Sequence, residues 1–195
     1  MAMQLPNSMF IHIPKCGGRW AKDVLKKFAK AKHIGDPILE SHRTPDYDGP
    51  VFCIIREPAT FAHSLWHHRA RRKANPNGKK FNWQSEPRLE VECRHEDYQT
   101  FMNKVADNKN AVHDYYMHFI SKYSDVRYCK QENLAKDLVN VLEELGEKFD
   151  REKILGMKET IIGKGPNVKS GVDEGLRLRI NNANAAFCKQ FGYKL

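Results

Sequence analysis

Apolar positions along this chain follow two rhythms, and the rhythm changes at glycines and prolines. Residues 9–13 (MFIHI) form a short apolar run closed by Pro14, the pattern of a buried strand. After Gly17-Gly18, the apolar residues Trp20, Ala21, Val24, Leu25 and Phe28 return every three to four positions, which predicts an amphipathic helix. Residues 37–41 (PILES) read as a second short strand. Residues 51–55 (VFCII) are β-branched, apolar and bounded by Pro50 and Pro58, and give the clearest strand in the sequence. Residues 60–70 then turn helical.

Downstream, residues 71–96 are polar and punctuated by Pro76, Gly78 and Pro87, which predicts a long loop or a substrate-side excursion. Residues 98–122 read as one or two helices with Phe101, Val105, Val112, Tyr116 and Phe119 inward. Residues 126–129 suggest a strand. Residues 133–145 predict a helix whose Leu134, Leu138, Val141, Leu142 and Leu145 share a face, with Gly146 at the C-cap. A glycine-rich loop follows at 160–171, and residues 173–191 close the chain as one helix. Alternation of strand, turn and helix argues for one α/β domain over residues 1–195, with a parallel sheet and helices on both sides. In such sheets ligands bind beyond the carboxyl ends of the strands. Residues 14–19, the end of the 38–41 strand and residues 56–58 are then expected at one edge.

Composition narrows the partner. The 195 residues carry a net charge of +9, which favours an anionic ligand without choosing one. No apolar stretch approaches the roughly 20 residues that cross a bilayer. The start, MAMQLPNSMF, lacks the basic and long apolar regions of a secretory signal. A soluble, cytoplasmic protein with no membrane partner is the expectation. The five cysteines, Cys16, Cys53, Cys93, Cys129 and Cys188, are scattered and never in CxxC spacing, so reduced thiols are expected.

Two segments carry the chemistry. His12-Ile13-Pro14-Lys15-Cys16-Gly17-Gly18-Arg19-Trp20 runs from strand through glycine turn to helix. Glycines let a ligand approach the backbone, free N–H groups at a helix start attract anions, and Lys15 adds a full charge. Taken alone, an ordinary strand-to-helix turn with a surface lysine explains it as well. The triphosphate loop GxxxxGK[ST] is absent, since the lysine precedes the glycines and no Ser or Thr follows them for Mg²⁺. In the second segment the strand 51–55 delivers Arg56, and Ser64 follows eight residues later, two turns into the next helix. The arginine fork and the serine hydroxyl both suit a phosphate.

IHIPKCGG and IIREP with its following serine resemble the two cofactor motifs of the PAPS-dependent sulfotransferases, where PAPS is 3′-phosphoadenosine-5′-phosphosulfate. The PKCGG form is closer to the carbohydrate-type branch. The resemblance implies a three-layer α/β fold with a central parallel sheet flanked by helices, of the P-loop nucleotide-hydrolase-like kind. It implies that Lys15, Cys16, Gly17, Gly18, Arg19 and Trp20 cradle the 5′-phosphosulfate. Arg56 and Ser64 then hold the 3′-phosphate. YCKQENLAKDLVNVLEELG is similar to the family's strand–Glu-x-Leu–helix stretch, and the FGY at 191–193 to its ending. Arg19 departs from the Thr or Ser often found there. The family's late basic loop is loosely matched by GKGPNVKS at 163–170, with Lys164 and Lys169 as its candidates.

The family also implies a catalytic base near residues 40–45, on or just after the strand that precedes the arginine motif. His42 fits in position and type, because histidine titrates near pH 6.5 and can accept a hydroxyl proton. Glu40, two residues earlier, orients His42 or replaces it as the base. Lys15 is expected to steady the leaving phosphate. PAPS is the expected co-substrate, and no metal is expected. His63 and His67 stand four apart on a presumed helix, but no HExxH pattern or third ligand accompanies them.

The run from Arg69 to Lys80 holds six basic residues and no acid, and reads as a solvated loop or a rim attracting an anionic acceptor rather than as a nucleic-acid site. Residues 69–96 and 115–119 are the expected acceptor side. The acceptor itself, a saccharide or small-molecule hydroxyl, is left open, as is the oligomeric state. Two rival readings remain at this stage. One is a small P-loop kinase-like phosphotransferase, disfavoured by the missing GK[ST]. The other is a non-enzymatic basic domain binding nucleic acid or another polyanion.

Overall fold

The computed structural model describes residues 2–34, 44–70, 83–157 and 171–195. In chain order the first elements are β1 (Ala2–Gln4), β2 (Met9–Ile11), α1 (Gly18–Phe28), β3 (Lys32–Ile34), β4 (Val51–Ile55) and α2 (Pro58–Ala70). Then come α3 (Arg88–Glu92), α4 (Tyr98–Asp107), α5 (Ala111–Ile120), β5 (Val126–Lys130) and a 3₁₀ turn at Gln131–Asn133. The chain ends with α6 (Leu134–Glu144), α7 (Arg151–Gly156), α8 (Glu174–Ala183) and α9 (Ala185–Phe191). Two compact units divide these elements: Met1–Arg56 with Phe119–Ile162, and Glu57–His118 with Gly163–Leu195.

The first unit is a mixed α/β assembly around a five-stranded sheet of order β3-β1-β2-β4-β5. β2, β4 and β5 run parallel, with Ile11 opposite Cys53 and Cys53 opposite Tyr128. All five residues of β4 are buried, as expected for a strand covered on both faces. The sheet is not wholly parallel, contrary to the expectation from the strand–helix alternation. β1 pairs antiparallel with both β2 and β3. Both extra strands have three residues, and Lys-His-Ile of β3 shows no apolar alternation, so hydrophobic patterning does not mark them. The strand expected at 37–41 lies outside the described residues.

Helices flank this sheet. α6 lies along β5 and buries Leu134, Leu138, Val139, Val141 and Leu142. It ends where the sequence places its stop, with Gly146 at φ +64, a conformation glycine adopts without a Cβ penalty. The β1–β2 hairpin is tied to that helix end. Asn7 N–H and Ser8 Oγ donate to Glu147 Oε1 at 3.0 and 2.6 Å, and Asn7 Nδ2 donates to Gly146 O at 2.9 Å.

The second unit is helical. α2, α4 and α8 pack together, and a cluster of rings joins α2 to α5 and α9. Phe61 lies 4.9 Å from Tyr115 and 5.2 Å from Tyr116, and Tyr116 stacks on Phe187 at 5.0 Å between centroids. The single helix expected over 173–191 is two helices, broken at Asn184. Buried Asn184 accepts from the Val112 and His113 N–H groups through Oδ1 and donates to Ile180 O through Nδ2. Its side chain thus caps α5, across 72 residues of sequence, while the periodicity of α8 and α9 runs on as if unbroken. The 71–96 loop is likewise interrupted by α3, and residues 71–82 are not described.

The start of α4 supplies a test of local capping. Asp97 Oδ2 accepts from Thr100 N–H and Thr100 Oγ at 2.8 Å each. These bonds, the backbone one first, hold the Asp97 carboxyl below the usual aspartate range. A depressed folded value means stability present above the ordinary aspartate pKa and lost as pH falls through the folded one. Asp97→Ala is therefore expected to lower Tm at pH 7, with the difference from wild type shrinking in acid. A deficit that stays constant down to strong acid would count against the cap.

Candidate functional site

Because β2 and β4 are parallel neighbours, their carboxyl ends open on the same edge of the sheet. β2 leads through His12 and Ile13 into the turn Pro14–Gly17 and then α1, while β4 delivers Arg56. The two meet: Arg56 Nη1 donates to the Lys15 carbonyl at 3.5 Å. At that length the bond is weak, and its significance is positional. Lys15 and Arg56 are both half-buried, so neither is wholly withdrawn from solvent.

The turn is unusual in its backbone. Lys15 has φ +67 and Gly17 φ +84, with Cys16 between them at negative φ. Left-handed residues of this kind are a component of anion-binding nests. For lysine a left-handed conformation costs on the order of 1 kcal/mol or more, and such strain concentrates at functional sites. The Cys16 side chain is buried under the turn, its Sγ donating to Pro14 O at 3.6 Å. Gly17 is the N-cap of α1, with no side-chain cap and no acidic residue in the first helical turn. The helix therefore presents its N-terminal amides without a carboxylate of its own to neutralise them.

Both glycines are required by the protein's own packing. A Cβ on Gly17 would come within 2.9 Å of Leu134 Cδ2 and 3.4 Å of Gln131 Cγ, besides the conflict with its φ. A Cβ on Gly18 would overlap the His12 ring. Gln131 reveals a contribution that the motif reading passed over. β5 is the third parallel strand, and its end, Lys130-Gln131-Glu132, opens on the same edge. The Lys130 N–H is fixed by Asp137 Oδ2 at 2.8 Å, and Lys130 is half-buried. A basic residue at the end of a third strand is the signal that locates it.

The other candidates separate. Arg19 is exposed on the first turn of α1, whereas Trp20 faces the core at 4% exposure, as the helical spacing predicts. Ser64 is half-buried on α2, in the second unit. Glu40, His42, Lys164 and Lys169 lie outside the described residues. Around His63 the structure shows a hydrogen bond of 2.8 Å between its Nδ1 and Tyr98 OH, and the His67 ring 4.4 Å away edge-on. Among the described residues, no group of three or more His, Cys, Asp or Glu side chains is placed to hold a metal ion.

Two expectations about the acceptor side are corrected. Arg69 is not a solvated member of the basic run: it is 4% exposed and ion-paired with fully buried Glu90. Tyr115 and Tyr116 are core residues at 1% and 0% exposure, consistent with their ring contacts, so they cannot line an open acceptor surface.

All five cysteines are buried. Burial, followed by the neighbouring Cys129 and Cys16, drives the Cys53 pKa well above the usual thiol range. Burial does the same to Cys129. A protonated, enclosed thiol is a poor nucleophile. Among the described residues no helix is long and apolar enough to cross a membrane. Comparison of the chain with protein-family models, with curated proteins and with solved structures finds no match.

Proposed function

We propose that the chain is a PAPS-dependent sulfotransferase, and that the turn 14–18 with Arg56 binds the nucleotide's phosphates. The observation that carries the reading is the Arg56 guanidinium seated on the Lys15 carbonyl. Two motifs 41 residues apart meet at one turn, which leads into a helix with no acidic residue in its first turn. A 5′-phosphosulfate placed at the turn meets Lys15 and the first amides of α1, while Arg56 beside the turn, with Ser64, takes the 3′-phosphate.

In the reaction an acceptor hydroxyl attacks the sulfur of PAPS. A new O–S bond forms as the bond from sulfur to the bridging oxygen breaks. The hydroxyl proton passes to His42, and adenosine 3′,5′-bisphosphate leaves. Lys15 and the turn amides stabilise charge growing on the leaving phosphate, as in phosphoryl transfer. His42, Glu40 and Ser64 enter from the sequence resemblance.

Binding distinguishes this reading from its rivals. Adenosine 3′,5′-bisphosphate is expected to raise Tm, with ATP–Mg²⁺ and an oligonucleotide giving smaller shifts. Arg56→Ala removes a charge-assisted contact of about 1.5–3 kcal/mol, an expected loss of roughly 10–150-fold in bisphosphate affinity by calorimetry. A larger shift with ATP–Mg²⁺ would favour a phosphotransferase. Unchanged affinity in Arg56→Ala would remove this arginine from the site.

A further inference from the structure

The segment His12–Arg19 was singled out for its lysine and glycines, yet its first residue has no role in the scheme above. His12 follows β2 directly and is half-buried. Its ring occupies the volume that a side chain at position 18 would need, so that a Cβ there would fall among Cδ2, Nε2 and Cγ of the imidazole. Gly18 is the first residue of α1 and is itself buried. Its neighbour Gly17 is held on another side by Leu134 and Gln131. The amides at the mouth of α1 are thus seated against side chains from two directions, and the imidazole supplies one of those walls.

We infer that His12 is a positioning residue for the anion-binding turn: its ring is the floor on which the Gly18 backbone rests, and it sets where the first amides of α1 point. The glycine at 18 is then a consequence of the histidine at 12, not of close approach by the ligand. Any anion bound at the turn depends on this floor, whether a nucleotide phosphate or a simpler one. The inference rests on the reading that the turn binds anions, and it extends that reading to a residue with no charge requirement of its own.

The test compares wild type, His12→Ala, Gly18→Ala and the double variant. Each is melted without ligand and titrated with adenosine 3′,5′-bisphosphate, adenosine 3′-monophosphate and inorganic pyrophosphate. Gly18→Ala overpacks the turn and is expected to lower Tm by roughly 3–10 °C. Adding His12→Ala removes the colliding ring, so the double variant should recover at least half of that loss, a coupling expected only between touching residues. His12→Ala alone is expected to weaken bisphosphate and pyrophosphate on the order of tenfold. It should leave 3′-monophosphate, which has no group for the turn, unaffected.

Several outcomes overturn the inference. The double variant could melt no higher than Gly18→Ala. His12→Ala could bind bisphosphate and pyrophosphate as wild type does, or it could weaken all three ligands equally, the mark of a merely structural role. If wild type binds pyrophosphate but neither nucleotide, the nucleotide reading fails while the His12 comparison with pyrophosphate still decides the inference. If wild type binds none of the three, both fall.

Discussion

His42→Ala is expected to cut the proposed sulfuryl transfer from PAPS by about 10²–10⁴-fold, the usual contribution of a general base. The affinity for adenosine 3′,5′-bisphosphate should stay within about threefold of wild type, because the proposed reading assigns the phosphates to Lys15 and Arg56 rather than to His42. The measurement is transfer of radiolabelled sulfate from PAPS to a desulfated polysaccharide and, separately, to a phenol. The acceptor that wild type uses becomes the reference for the variant. A loss confined to turnover assigns the proton to His42. Wild-type turnover in His42→Ala passes the role to Glu40, and Glu40→Gln then becomes the informative variant.

The second large effect concerns stability. Glu90 is fully buried and holds several partners at once. It pairs with Arg69, accepts from the Gln84 N–H at 3.1 Å, and receives a longer contact of 3.5 Å from Tyr115 OH. Glu90→Ala leaves an uncompensated guanidinium in the interior of the helical unit. Breaking a buried pair from one side typically costs about 3–5 kcal/mol, which for a chain of this size is a Tm loss of roughly 6–20 °C. Arg69→Met combined with Glu90→Leu removes both charges and should restore part of the loss, the remainder reflecting the Gln84 N–H and Tyr115 OH left without their acceptor. A Glu90→Ala variant that melts within 2 °C of wild type, a margin on the order of one surface substitution, would show that the pair carries little stability.

That pair also shows where patterning stopped being informative. A basic run reads as solvated because nothing local marks one member as different. Arg69 is set apart only by Glu90, 21 residues on. Asn184 teaches the same lesson, because its helix-breaking role comes from the backbone of α5. By contrast, β4 and α6 were legible because their signals are local: an unbroken apolar run between prolines, and leucines at helical spacing closed by glycine. Convergence of Lys15 and Arg56 was legible at one remove, since parallel neighbouring strands must open their carboxyl ends on one edge. The left-handed backbone at Lys15 was not, because no rule of residue type favours lysine there. Nor was the reason for Gly18, which is a ring six positions earlier.

The order of the pieces along the chain has a consequence for biosynthesis. A nascent polypeptide that has emerged as far as residue 118 carries β1 to β4 and α1 but neither β5 nor α6. Leu134, the side chain that walls Gly17, is still inside the ribosomal tunnel at that point. The turn at residues 14–18 is therefore completed only after the whole first stretch of the helical unit has emerged, so the loop exists early while its shape is finished late.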